Sequence, residues 1–288
     1  MYRTKSRPLT PAALIAMWRG PAAQLVCVAL CFFLLGSARI QAAAVRSNAG
    51  FNDNTLPGND DGSGGPAALG FDANLFGTTY SGIYVNNNGN ATFDAPLGEF
   101  TPFNLLSTTR VILAPFFADV DIRVGEPVRY GTSTVDGRAA FGINWVDVGY
   151  YSAHVDKLNS FQLVLIDRSD IAPGDFDIEF NYDRILWETG NASGGVDGFG
   201  GASARAGWSD GSLNAFEIAG AAVNGAYLDD NLVSGLIHNS LNSGVAGRYV
   251  FNVRNGDPSV PEPSSVVLLG CGLVGLAFFG LKRRGLRV

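Results

Sequence analysis

The sequence predicts an all-β protein with minor helix: a single antiparallel β-sandwich-like domain, flanked by two terminal segments of different character. Three observations predict it. Short apolar or alternating runs recur between residues 80 and 255, bounded by Gly, Asn, Asp and Pro. Glycine is abundant, 37 of 288 residues, while lysine is rare, which suits a chain with many tight turns and not a helical bundle. Only 225–243 could hold a short helix, and no repeat of fixed period is present.

Taken along the chain, 52–66 is rich in Asn, Asp, Gly and Pro and reads as a loop. The runs 83–85 and 91–93 flank the Asn/Gly segment 86–90, residues that tolerate positive φ, so they form a hairpin. The continuous apolar run 111–117 suits a buried strand, with Pro115 at an end or a bulge because it lacks a donor. Strands over 128–134 and 139–148 are joined by Asp136-Gly137, a strong hairpin signal. The runs 161–166 and 176–181 flank a polar turn. In the second, Phe176, Ile178 and Phe180 point inward while Asp177 and Glu179 point outward. Segments 184–187, 202–208, 215–218 and 248–253 complete the strand set.

The ends follow other rules. Residues 1–44 carry five basic side chains and no acid, then an eleven-residue apolar run, 25–35, then Ala42, Ala43 and Ala44. This charged, apolar, small-residue order is that of a signal peptide cut near Ala44 by signal peptidase. At the other end Pro261, Glu262 and Pro263 precede an uncharged apolar stretch, 264–281, and the basic tail of Lys282, Arg283, Arg284 and Arg287. As a helix that stretch would be roughly 27 Å long, enough to span the hydrocarbon core, with its basic cluster held on the cytoplasmic side. The three parts in this order resemble the PEP-CTERM sorting signal of Gram-negative bacteria. That resemblance implies handling by an exosortase, passage through the inner membrane by way of 264–281, and delivery to the cell surface or an exopolysaccharide matrix. The expected division is therefore 1–44 signal peptide, 45–256 β-domain and 257–288 sorting signal.

Charge and composition then exclude several function classes. The whole chain is −6, but 45–259 holds 11 basic and 25 acidic residues, a net −14, so no basic surface for nucleic acid is expected. The three cysteines, Cys27, Cys31 and Cys271, all lie in the terminal segments. The middle thus offers no thiol nucleophile, cysteine-ligated zinc or iron–sulfur site. His154 and His238 are the only histidines, without metal-binding spacing, and each is expected in a surface or turn role.

Four blocks in order, 83–90, 112–121, 159–165 and 178–182 with Trp187, resemble the NIDO (nidogen-like) extracellular domain family. The resemblance implies a cell–matrix adhesion or extracellular-matrix role and brings no catalytic residues. From the residues themselves, two oxygen-rich groups are candidate calcium sites. Asp119 and Asp121 would sit on one face of a strand roughly 7 Å apart, able to hold Ca²⁺, to act as a glycosidase-like acid and base, or simply to bond loop N–H groups. Asp53, Asp60 and Asp61 crowd, with Asn54 and Asn59, into one loop. No other cofactor is indicated. Among the many aromatics, Tyr150, Tyr151 and Trp208 are the expected exposed ones, able to stack on sugars. The expected function is non-enzymatic: an exported surface protein of adhesion, biofilm or exopolysaccharide-matrix structure, contacting a matrix protein or polysaccharide. The alternative is a glycan-binding module assisted by calcium.

Overall fold

Apolar alternation pairs into two antiparallel sheets in the computed structural model, which describes residues 43–259. In chain order the strands are β1 (Asn54–Leu56), β2 (Ser63–Leu75), β3 (Thr78–Asn86), β4 (Asn90–Thr92), β5 (Val111–Phe117), β6 (Val120–Asp121), β7 (Val128–Val135), β8 (Arg138–Tyr150), β9 (His154–Asp167), β10 (Phe176–Arg184), β11 (Arg205–Asp210), β12 (Ala215–Glu217), β13 (Arg248–Arg254) and β14 (Asp257–Ser259). One sheet runs β1-β7-β8-β9-β10-β13-β14, with β6 added alongside β8. The other runs β12-β11-β5-β4-β3-β2. Among the described residues no helix is long and apolar enough to cross a membrane. The expected leader up to residue 42, Pro261, Glu262, Pro263, the 264–281 stretch and the basic tail lie outside the described residues.

The hairpins follow their turn chemistry. Asp136 and Gly137 both hold positive φ, 51° and 79°, and close β7 onto β8 with Val135 opposite Arg138. Pro115 sits where the β5–β11 register shifts, between the Ala114–Gly207 and Phe117–Arg205 pairs, so its missing donor costs no ladder bond. Between the sheets, Phe116 of β5 packs on Phe161 of β9 (ring centroids 5.2 Å apart), and Trp145 of β8 stacks on Phe161. The hydroxyl of buried Tyr182 on β10 donates to the Pro115 carbonyl at 2.6 Å, a polar tie from one sheet to the other.

Several expectations are corrected. The 52–66 loop contains β1 and the start of β2, because exposed edge strands tolerate the Gly-, Asn- and Pro-rich composition that reads as loop. Residues 185–187 are not a strand: β10 ends at Arg184, and the chain turns so that Trp187 is buried and its indole donates to the Val148 carbonyl. In 225–243 the regular piece is a 3₁₀ turn, Leu236–His238, with bonded turns around it. Asp177 and Glu179 do lie opposite the apolar face of β10, yet both are buried. The segment 44–52 covers Glu179, while Arg168 and Arg254 pair with Asp177. The Arg46 guanidinium donates twice to Glu179, at 2.7 and 2.8 Å, and Phe51 packs on Val164 and Ile166. Ala44 is buried and its N–H donates to Asp183, while β14 extends the larger sheet to Ser259.

Candidate metal centre

An asparagine-rich turn organises the one cluster of carboxylates, among the described residues, able to share a metal ion. Asn86, Asn87, Asn88 and Asn90 join β3 to β4, and all four are buried. Each short amide can satisfy loop backbone that no strand partner reaches. The Asn87 side-chain NH₂ donates to the Asp60 and Val120 carbonyls, and the Trp145 indole donates to the Asn87 carbonyl at 2.9 Å. The Asn88 side chain donates to Asp61 Oδ1 at 2.9 Å and accepts from the Val120 N–H at 2.9 Å. The Asn59 carbonyl accepts from the Ile122 N–H at 3.0 Å. The 57–62 loop is thereby laid across the end of β5 and the start of β6.

This crossing brings Asp60, Asp61 and Asp119 together, one carboxylate oxygen of each lying within 4.8 Å of the others. Exposure falls inward: Asp61 is exposed, Asp60 half-buried and Asp119 only 1% exposed. Asp119 Oδ2, Asp60 Oδ1 and the nearby Asn87 Oδ1 are buried without a hydrogen-bond partner. Gly190 closes the inner side, and any Cβ there would occupy the space of the Asp119 carboxylate. Burial, then repulsion by Asp60 and Asp61, pushes the Asp119 carboxyl up to about 7 against a backbone N–H from Ser193. Burial and the charges of Asp121 and Asp61 push Asp60 up to about 6. The donor set is oxygen only, the set that hard cations such as Ca²⁺ accept.

Asp121 and Asp53 stand outside this cluster. Burial works against the Asp121 charge. The Arg123 side chain, at 2.9 Å, and the Arg123 and Ala153 N–H groups outweigh it and hold the carboxyl below its ordinary range. Asp121 is thus committed to internal pairing. Arg123 also reaches Asp60 at 3.4 Å, while neither Asp61 nor Asp119 has a cationic partner among the described residues. Asp53 is exposed and lines a separate cavity of about 450 Å³ with Pro66 and Tyr130. Two expected sugar-stacking rings are corrected. Tyr150 is fully buried against His154 and Trp187, and Trp208 is buried between Phe76 and Phe216. Tyr151 alone is half-exposed, under Arg123. His154 is half-exposed and His238 exposed, its ring bonded to the Asp229 carbonyl.

The sequence marks each oxygen-rich group but not their meeting. The Asn turn was legible only as a hairpin, although four amides exceed what a two-residue turn needs, and that excess was the available signal of buried polar work.

The family model described as nidogen-like domain matches residues 81–136 and 124–255, and that of the PEP-CTERM protein-sorting motif matches 259–284. Alpha-tectorin of Homo sapiens is 33% identical over 228 residues, 70% of this chain and 10% of alpha-tectorin. Alpha-tectorin of Gallus gallus is 33% identical over 236 residues, covering 72% of this chain and 11% of the relative. Nidogen of Drosophila melanogaster is 28% identical over 118 residues, 32% of this chain and 8% of nidogen. The chain thus spans about a tenth of the length of these curated relatives. No solved structure matches.

Proposed function

Because the chain belongs to the nidogen-like domain family and carries a PEP-CTERM sorting motif, which together mark an exported extracellular protein, we propose that it is a non-enzymatic structural component of a bacterial cell surface or exopolysaccharide matrix. In this reading signal peptidase removes the leader near Ala44. The 264–281 stretch then holds the chain in the inner membrane of a Gram-negative cell until an exosortase handles the tail. The nidogen-like domain supplies the matrix contact, as its extracellular relatives suggest. The observation that carries this reading is the pairing of the two family matches end to end in one chain, domain first and sorting motif after it.

The charge of the domain indicates how such contacts work. Each of the eleven Lys and Arg side chains of the described residues is ion-paired to a carboxylate. Among the described residues no cationic side chain is left unpaired for an acidic polymer, so adhesion of this domain to one runs through bridging cations or uncharged contacts. The burial of Tyr150 and Trp208 takes two rings away from the alternative of a sugar-stacking, glycan-binding module. The test is deletion of 260–288 in the producing cell. The truncated chain is expected to leave the surface or matrix fraction, and retention there at the level of the full chain sinks the sorting assignment.

A further inference from the structure

We propose that Asp60, Asp61 and Asp119 bind one divalent cation, Ca²⁺ by its chemistry, which clamps the 57–62 loop onto the Asn86–Asn90 turn and the end of β5. The innermost carboxylate is the group that needs the ion. Asp119 is 1% exposed, its Oδ2 has no hydrogen-bond partner, and Asp60 Oδ1 beside it has none either. A buried carboxylate oxygen with no donor and no cation carries a large desolvation cost that a bound cation offsets. The protein supplies no such cation from its own side chains. Arg123 is taken by Asp121 and reaches only Asp60, and every other basic residue of the described chain is paired elsewhere.

The donor chemistry favours calcium over softer ions. Two oxygens bound to one Ca²⁺ at roughly 2.4 Å stand at most roughly 4.8 Å apart, so three carboxylate oxygens within 4.8 Å of one another are compatible with a single ion. Magnesium gives up its water reluctantly and keeps several waters, which disfavours it at a site whose innermost ligand is buried. No sulfur or imidazole joins the cluster to favour a transition metal. The buried, unpartnered Asn87 Oδ1 is a further oxygen close by, and exposed Asp61 marks the solvent side by which an ion enters. The ion would tie together segments separated by 58 residues of sequence, Asp61 and Asp119, and add to the joints made by two asparagine side chains, the Ile122 N–H to Asn59 carbonyl bond and the Arg123–Asp60 pair.

The test uses the full chain, purified in detergent and stripped with a chelator, then titrated calorimetrically with CaCl₂ and separately with MgCl₂. One Ca²⁺ per chain is expected, bound more tightly than Mg²⁺. The melting temperature should rise by about 5–10 °C when Ca²⁺ stands at about a hundred times its Kd. Asp119→Asn and Asp61→Asn should each remove that rise, while Asp53→Asn, outside the cluster, should keep it. If Asp119→Asn does not fold, the exposed Asp61→Asn carries the same test. No calorimetric binding, with the same melting temperature in chelator and in millimolar Ca²⁺, overturns the proposal, as does a rise that survives both cluster variants. The outcome is independent of the sorting test, since the ion site requires no part of 260–288.

Discussion

Asp119 and Glu188 are both buried acids, and the difference between them is a matter of partners. Glu188 receives the Tyr227 N–H at 2.7 Å on one oxygen and the Gly225 N–H on the other, whereas Asp119 Oδ2 receives none. Burial still wins at Glu188 and raises its carboxyl above the ordinary value of 4.5, against those two N–H groups. The folded chain therefore keeps this proton where the unfolded chain has released it. The contribution is fully present below the unfolded value and is lost as pH rises through the folded one. The stability of the wild type relative to Glu188→Gln should accordingly be greatest below about pH 4.5 and decline as the pH rises above it, measured by urea unfolding in chelator. A relative stability that grows with pH would show that the two N–H groups outweigh burial. At this scale the sequence was informative about residue type and silent about partners. Asp60, Asp61 and Asp119 were visible as oxygen donors. Tyr150 and Trp208 were misplaced, because adjacent glycine and polar residues do not reveal which side of a strand is covered.

At the scale of elements, β10 shows both the strength and the limit of periodicity. Its alternation assigned Phe176, Ile178 and Phe180 to the core, where they are found. The same pattern assigned Glu179 to solvent, yet the segment 44–52 lies over it. Arg46 holds Glu179 with two hydrogen bonds, and the Gln162 side chain both donates to the Arg46 carbonyl, at 2.9 Å, and accepts from its N–H, at 3.0 Å. Arg46→Met would strand Glu179 beside Arg248, 3.8 Å away, as its remaining cation. Breaking such a pair should cost about 2–4 kcal/mol, less than a fully buried pair because Arg46 keeps some exposure. Denaturant unfolding measures it, and a loss under about 0.5 kcal/mol, typical of surface pairs, would mean that the segment contributes little to the fold. Protease cleavage ahead of Phe51 in this variant but not in the wild type would show directly that the segment has lifted. The bulge at Pro115 was legible for a simple reason: a residue without an N–H can only sit where the ladder is already broken.

For the whole molecule, charge is the organising quantity. A domain of net −14 whose every basic side chain is already paired carries its surplus as uncompensated carboxylates. Their mutual repulsion is screened once the Debye length falls from about 30 Å at about 0.01 M salt to about 8 Å at about 0.15 M. In chelator, the melting temperature of the full chain should therefore rise over that range of KCl. A fall would mean that the ion pairs, weakened by the same screening, outweigh the repulsion.

The sequence by itself determined the class of structure and the chain's address. Period-two alternation, turn residues and terminal charge are local patterns, each readable within ten or twenty residues. It also placed the acidic oxygens in two separate stretches. Only the tertiary structure decided that Asp60 and Asp61 meet Asp119 while Asp121 turns to Arg123 and Asp53 stays apart. It alone decided that an asparagine turn is interior and that the outer face of β10 is covered. The reason is physical. These contacts join residues tens to more than a hundred positions apart, and which of them meet depends on strand order and on the path of covering loops. No local periodicity encodes either.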